Sequence, residues 1–215
     1  DPVFSRRASP LPFLGPQRKT PPVLSVEQLH QLDAVVISHN HYDHLDDATI
    51  RRILKRFPDV CCFVPLGLAD WFRRRGAKRV VELDWWQSFT WQGMTLTAVP
   101  AQHWSKRSVR DGGQRLWGAF MLQGHGVSLY YSGDTGYSSH FREIPELFGA
   151  PDYALLGIGA YKPRWFMRPN HISPYESLTA SEEMRAGITI PMHYGTFDLS
   201  DEPLHDPPKV FAAEA

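Results

Sequence analysis

Cysteine is nearly absent: the 215 residues hold only Cys61 and Cys62. Sequence neighbours rarely pair with each other because the bond is strained, so they read as reduced core residues, which favours a reducing, cytoplasmic setting. Long apolar runs are missing too. No stretch approaches the ~18 residues that cross a bilayer, and the opening Asp-Pro-Val-Phe-Ser-Arg-Arg has neither the charged n-region nor the apolar h-region of a signal peptide. There is no net charge, since 23 Lys and Arg balance 23 Asp and Glu, and overall basicity therefore gives no reason to expect a nucleic-acid partner. Repeats, low-complexity tracts and linkers are likewise lacking, so a single domain over residues 1–215 is expected.

What is present is a globular composition, 42% hydrophobic and 21% charged, enough for one sizeable core. The charge balance hides a local bias. Residues 51–79 carry nine basic side chains against Asp59 and Asp70, and from Asp134 onward twelve acids face six bases. Two solvated helix faces account for the basic stretch at least as well as anionic lipid headgroups do.

Prolines crowd residues 1–25 (Pro2, Pro10, Pro12, Pro16, Pro21, Pro22), which predicts an extended arm. Asp33–Ile37 is a short β-branched run ending in a histidine-rich turn, and Asp46 or Asp47 then caps a helix to about Phe57. Cys61–Pro65 reads as a buried strand, Leu68–Arg75 as a helix stopped by Gly76, and Lys78–Leu83 as a third strand. Strands at 88–90, 94–100, 118–123 and 128–132, separated by Gly-containing turns, form an antiparallel block. Helices at 140–148 and 174–186 then alternate with strands at 153–158 and 188–192. Ser173 with Glu176 makes a capping box, and Pro174 suits the first turn. This order fits an α/β fold, an αββα sandwich of two mixed β-sheets flanked by helices.

The chemistry concentrates in Ser38-His39-Asn40-His41-Tyr42-Asp43-His44, directly after the first strand. Four potential metal ligands fall within six residues. Burying that set without a metal or complete hydrogen bonding would be costly, and imidazole with carboxylate is the donor set zinc prefers. Further candidates stand at predicted strand ends: His103, Asp134 and His193. Strand ends that share one sheet edge can converge, and five histidines with two aspartates supply three terminal ligands to each of two metals if Asp134 bridges. The same donors also accept manganese or iron. The remaining histidines, such as His30, His125, His140 and His205, read as surface or loop residues.

His39-x-His41-x-Asp43-His44, followed in order by His103, Asp134 and His193, resembles the ligand motifs of the metallo-β-lactamase fold hydrolases. Within them, Pro100-Ala-Gln-His-Trp104, Leu116-Trp-Gly-Ala-Phe120, Gly133-Asp-Thr-Gly-Tyr137, Ile158-Gly-Ala-Tyr-Lys-Pro-Arg-Trp-Phe-Met167 and Met192-His-Tyr-Gly-Thr-Phe197 are similar to the N-acyl-phosphatidylethanolamine-hydrolysing phospholipase D group and its bacterial relatives. The likeness runs from Asp1 to about Phe197. It implies two zinc ions, one on His39, His41 and His103, the other on Asp43, His44 and His193, with Asp134 bridging. It also implies that His171 is an active-site histidine beside the phosphate. That group has additional strands before its Asp-Pro-x-Phe-Ser segment, so a sheet lacking its N-terminal strands, with one edge open or covered by another chain, is expected.

The resemblance implies a phosphodiesterase of phospholipase D type, in which metal-activated hydroxide attacks phosphorus, Asp43 orients it and His171 binds the phosphate or protonates the leaving group. Trp85, Trp86, Trp104, Trp117 and Trp165 are candidates for an acyl pocket or an interfacial surface, which implies a phospholipid or small-molecule substrate, peripheral membrane contact, and a surface compatible with a homodimer. Two alternatives stay open: a lactonase or other ester hydrolase on the same scaffold, and a metal-binding fragment without turnover.

Overall fold

The computed structural model describes residues 1–215. Its contacts group into two compact units, one of residues 1–84, 104–117 and 196–198, the other of 85–103, 118–195 and 199–215. No helix is long and apolar enough to cross a membrane.

The first unit is built on a three-stranded parallel sheet of β1 (Ala34–Val36), β2 (Cys61–Pro65) and β3 (Arg79–Leu83), in that order. Parallel neighbours need crossovers, and α1 (Asp47–Arg56) and α2 (Ala69–Arg73) supply them. The central β2 is buried along its whole length, which is why it reads as an unbroken apolar run. Both cysteines lie in it as free thiols, and burial pushes the Cys62 thiol up to about 12, so it stays protonated and unreactive. Asp46 caps α1, its carboxylate accepting from Ala48 N–H at 3.2 Å. Ile50, Ile53 and Leu54 bury one face against Val35, Cys62, Val64 and Phe72, each stabilising the unit by about 1.5–3 kcal/mol.

The basic face of this unit is largely neutralised within the chain. Arg51 and Arg75 pair with Asp47, Arg52 with Glu27, Arg73 with Asp70 and Lys78 with Asp59. Residues 1–25 form no helix or strand, only isolated bridges from Arg7 to Gln17 and from Arg18 to Phe197. Backbone donors of Phe4 and Ser5 reach Thr49 Oγ1 and Asp46 Oδ2 at 2.9 Å each, which ties the segment to the start of α1.

The second unit holds a six-stranded sheet in sequential order: β4 (Ser88–Trp91), β5 (Met94–Val99), β6 (Ala119–Gly124), β7 (Val127–Tyr131), β8 (Tyr153–Gly157) and β9 (Ile188–Met192). Pairing is antiparallel from β4 through β7 and parallel from β7 through β9. Because β5 and β7 both run opposite to β6, they run parallel to each other. The C-terminal ends of β5, β7, β8 and β9 therefore leave the sheet at one edge.

Helix α3 (His140–Phe148) packs on α5 (Pro174–Met184), and α5 packs on β8. Their buried residues include Phe141, Ile144, Ala180 and Met184, with Ala154 and Leu156 from the strand. The Ser173–Glu176 capping box forms as the sequence predicts. Two helices depart from the sequence expectation: α4 (Arg164–Met167) and α6 (Asp206–Glu214). The first is a single turn, too short to show a period, and the second opens on two prolines and buries only Pro207.

Candidate metal centre

In the first unit the donors follow β1 directly. His44 N–H and Leu45 N–H both bond the carbonyl of His41, at 3.2 and 2.8 Å, so the chain after the strand makes one helical turn. That turn gathers the four sequence-predicted ligands of this unit. His39 Nε2 lies 2.8 Å from His41 Nδ1, the His39 and His44 rings are 4.2 Å apart, and His44 Nε2 is 3.5 Å from Asp43 Oδ2. Two unprotonated imidazole nitrogens at 2.8 Å repel unless a proton or cation stands with them. Asn40 between them buries a side-chain oxygen that no donor faces. This is donor chemistry that a divalent metal fits.

The sequence reading missed what orients these rings. Asp1 Oδ1 accepts from Ser38 N–H at 2.6 Å, and Oδ2 from Ser38 Oγ at 2.5 Å and from His44 Nδ1 at 2.7 Å. Ser38 Oγ, its proton given to Asp1, accepts from His39 Nδ1 at 2.9 Å. Both histidines then carry their proton on Nδ1 and keep the Nε2 lone pair for a metal. Asp1 is 38 positions from His39 in sequence, and no spacing pattern links them.

In the second unit His103 follows β5, Asp134 follows β7 and His193 follows β9, so all three leave the sheet at the shared edge. They meet at the Asp134 carboxylate. Oδ1 lies 3.2 Å from His193 Nε2, while Oδ2 lies 3.8 Å from His103 Nε2 and 3.8 Å from His171 Nδ1. His103 Nδ1 donates to the carbonyl of Asn170 at 3.1 Å, which leaves Nε2 as its donor atom. A carboxylate with imidazoles at each oxygen has the form of a bridging ligand. A small recess opens beside it, lined by Gly133, Asp134, Thr135, Gly157, Gly159, His171, Ile172 and His193.

Backbone detail sets this geometry. His193 has φ +59°, a left-handed conformation uncommon for a side-chain-bearing residue, and Gly159 packs so closely that a Cβ there would sit 2.0 Å from the His193 carbonyl oxygen. Gln102, exposed and beside His103, links three loops. Its N–H bonds Thr135 Oγ1 at 2.9 Å, its carbonyl accepts from Gly136 N–H at 2.8 Å, and Nε2 donates to the Pro169 carbonyl at 2.7 Å. His171 is held through its main chain: Arg164 Nη1 donates to its carbonyl at 2.9 Å while Nη2 pairs with Glu176 of the capping box at 2.7 Å. Its ring stacks with His193 at 5.7 Å, 20° between planes.

His140, read from sequence as a surface or loop histidine, is buried at the start of α3, with Ser138 Oγ 2.6 Å from Nδ1 and Thr135 Oγ1 3.4 Å from Nε2. Loss of hydration pushes its pKa down to about 4, outweighing the nearby charge of Glu143. The folded value is below the unfolded one, so its stabilising contribution is complete above about pH 6.5 and is lost as pH falls toward 4, by up to about 3 kcal/mol. His140→Gln should flatten the decline of the urea midpoint between pH 7 and pH 4. Parallel declines in wild type and variant would show that His140 protonates freely in the folded chain.

A sequence profile of the beta-lactamase superfamily domain matches residues 1–194, and the chain belongs to that superfamily. Its fold is the metallo-β-lactamase fold, shared with the metallo-beta-lactamase fold protein YhfI from Bacillus subtilis at TM-score 0.61 and 20% identity over 85% of this chain and 71% of that one. The chain is 41% identical over 209 residues to N-acyl-phosphatidylethanolamine-hydrolyzing phospholipase D 1 of Caenorhabditis elegans, covering 93% of this chain and 59% of the relative. It is also 34% identical to the UPF0173 metal-dependent hydrolase MK1542 of Methanopyrus kandleri, over 85% of this chain and 73% of that protein. This chain thus spans about three fifths of the length of the worm relative.

Proposed function

We propose that the chain is a metal-dependent hydrolase that cleaves a phosphodiester, in the manner of a phospholipase D acting on N-acyl-phosphatidylethanolamine-like lipids. The observation that carries this reading is the Asp134 carboxylate, with His193 at one oxygen and His103 and His171 at the other. His39, His41 and His103 would hold one metal, Asp43, His44 and His193 the other, and Asp134 both. Zinc suits these donors, and when bound it lowers the pKa of water and neutralises charge gathering on phosphoryl oxygens.

The chain's own residues do the rest. Asp43 accepts a hydrogen bond from the attacking water and orients it. His171, its main chain fixed by Arg164, hydrogen-bonds a phosphoryl oxygen or passes a proton to the leaving alkoxide as the phosphorus–oxygen bond on the headgroup side breaks. Water and the diester thus become a phosphomonoester and an alcohol. Trp104, whose ring meets His41 at 4.5 Å and is 42% exposed, is placed to contact an apolar group of the substrate. The names of the relatives support the lipid; a peripheral membrane contact would follow from it.

The test compares bis(p-nitrophenyl) phosphate, an N-acyl-phosphatidylethanolamine in mixed micelles and a simple lactone, each with zinc and after chelation. Hydrolysis of both phosphodiesters that chelation abolishes and zinc restores is the expected result. Turnover of the lactone alone would replace this reading with the lactonase, and metal uptake without any turnover would leave a metal-binding chain.

A further inference from the structure

Residues proposed to hold metal and residues that are not are interleaved along the loop of the first unit. His39, His41, Asp43 and His44 are the proposed ligands, and Asn40, Tyr42 and Leu45 lie among them. All three of the latter are gripped by one residue. Arg107 Nη1 donates to the Asn40 carbonyl at 3.0 Å and to the Leu45 carbonyl at 2.6 Å. Its guanidinium lies 4.2 Å from the centre of the Tyr42 ring, and the Tyr42 hydroxyl donates to the Arg107 carbonyl at 2.7 Å. One nitrogen holding two carbonyls five residues apart fixes the chord across the ligand-bearing turn.

Arg107 is itself braced. Its N–H bonds Asp111 Oδ1 at 2.9 Å, and Ser105 and Gly113 close the base of its loop with a backbone bond of 2.8 Å. The guanidinium also faces the Trp71 ring at 5.3 Å, and Arg75 lies against that ring at 3.5 Å. A second cation stands nearby in a partly dehydrated place, and dehydration lowers the Arg107 pKa. Such a placement is unfavourable unless the carbonyls and rings return the lost hydration.

We propose that Arg107 is a positioning residue that pre-organises the His39–His44 loop for metal. The proposal rests on the metal reading above for its purpose, and on the hydrogen bonds alone for the clamp. A rigid fork with several donors can serve two carbonyls and a ring together; a lysine keeps the charge and supplies a point donor.

The test uses the whole chain in three forms: wild type, Arg107→Ala and Arg107→Lys, with Arg110→Ala on the same loop as a neutral control. Ile53→Val in α1 serves as a destabilised control that leaves the clamp intact. Two readouts are taken: amide hydrogen exchange of residues 40–46 in metal-free protein, and titration with Co²⁺ followed by its visible d–d bands. We expect exchange over 40–46 to quicken about tenfold or more in Arg107→Ala, cobalt affinity to fall about tenfold, the bands to shift, and Arg107→Lys to lie between. Ile53→Val should lower the melting temperature without shifting the bands. If Arg107→Ala does not fold, Arg107→Lys decides by the same readouts. Wild-type exchange over 40–46 in a folded variant would overturn the clamp. Quickened exchange with unchanged cobalt affinity and bands would overturn its role in metal binding. A wild type that takes up no cobalt would instead overturn the metal reading, with the exchange arm still deciding the clamp.

Discussion

Asp134→Asn should remove phosphodiester turnover by about a thousandfold or more, equivalent to about 4 kcal/mol, and reduce bound metal below two per chain. The substitution keeps the size and planarity of the side chain but removes the charge that lies 3.2 Å from His193 and 3.8 Å from His103 and His171. One neutral oxygen remains where two anionic ones stood, so two cations can no longer share the group. The sheet does not depend on the carboxylate: β7 ends before it, and Ser132 N–H to the Leu155 carbonyl at 3.0 Å continues the pairing toward β8. Elemental analysis and turnover of bis(p-nitrophenyl) phosphate on folded protein, checked by circular dichroism, measure this. Two metals retained with activity within a few fold would sink the bridging role.

His171→Gln should keep both metals and lower kcat, and the size of the loss should depend on the leaving group. A proton donor is worth about 10²–10⁴ in rate when the departing oxygen is a poor leaving group. p-Nitrophenolate leaves without help, whereas the alkoxide of a lipid headgroup does not. The variant should therefore lose far more on the lipid than on the nitrophenyl ester. Equal losses on both would assign His171 to phosphate binding instead, and loss of metal would make it a ligand, which its 3.8 Å separation from Asp134 Oδ2 would also permit.

How much of this was legible depended on how locally each feature is encoded. The buried run Cys61–Pro65 announces a central strand because both its faces are covered. The antiparallel block from β4 to β7 is punctuated by Gly93 and Gly126, whose φ of +77° and +79° suit tight turns. Four candidate ligands in six residues after a strand likewise need no tertiary information to stand out. By contrast, Asp1, Gln102 and Arg107 act over long separations and Arg164 across a short loop, three of the four on backbone carbonyls. A carbonyl is present at every residue, so nothing in the receiving sequence marks the target. His140 could not be told from a loop histidine because its neutrality comes from burial, which only the packing of α3 reveals.

His193 illustrates how a site can be at odds with the scaffold that carries it. Its left-handed backbone is one that glycine or asparagine would adopt with less strain. A population of variants screened for thermal resistance alone should therefore drift to His193→Gly or His193→Asn, gaining robustness while losing the imidazole proposed to hold metal. Stability improvement of this chain by consensus or library methods is best done with position 193 held fixed, since there the most durable sequence and the most capable one are different sequences.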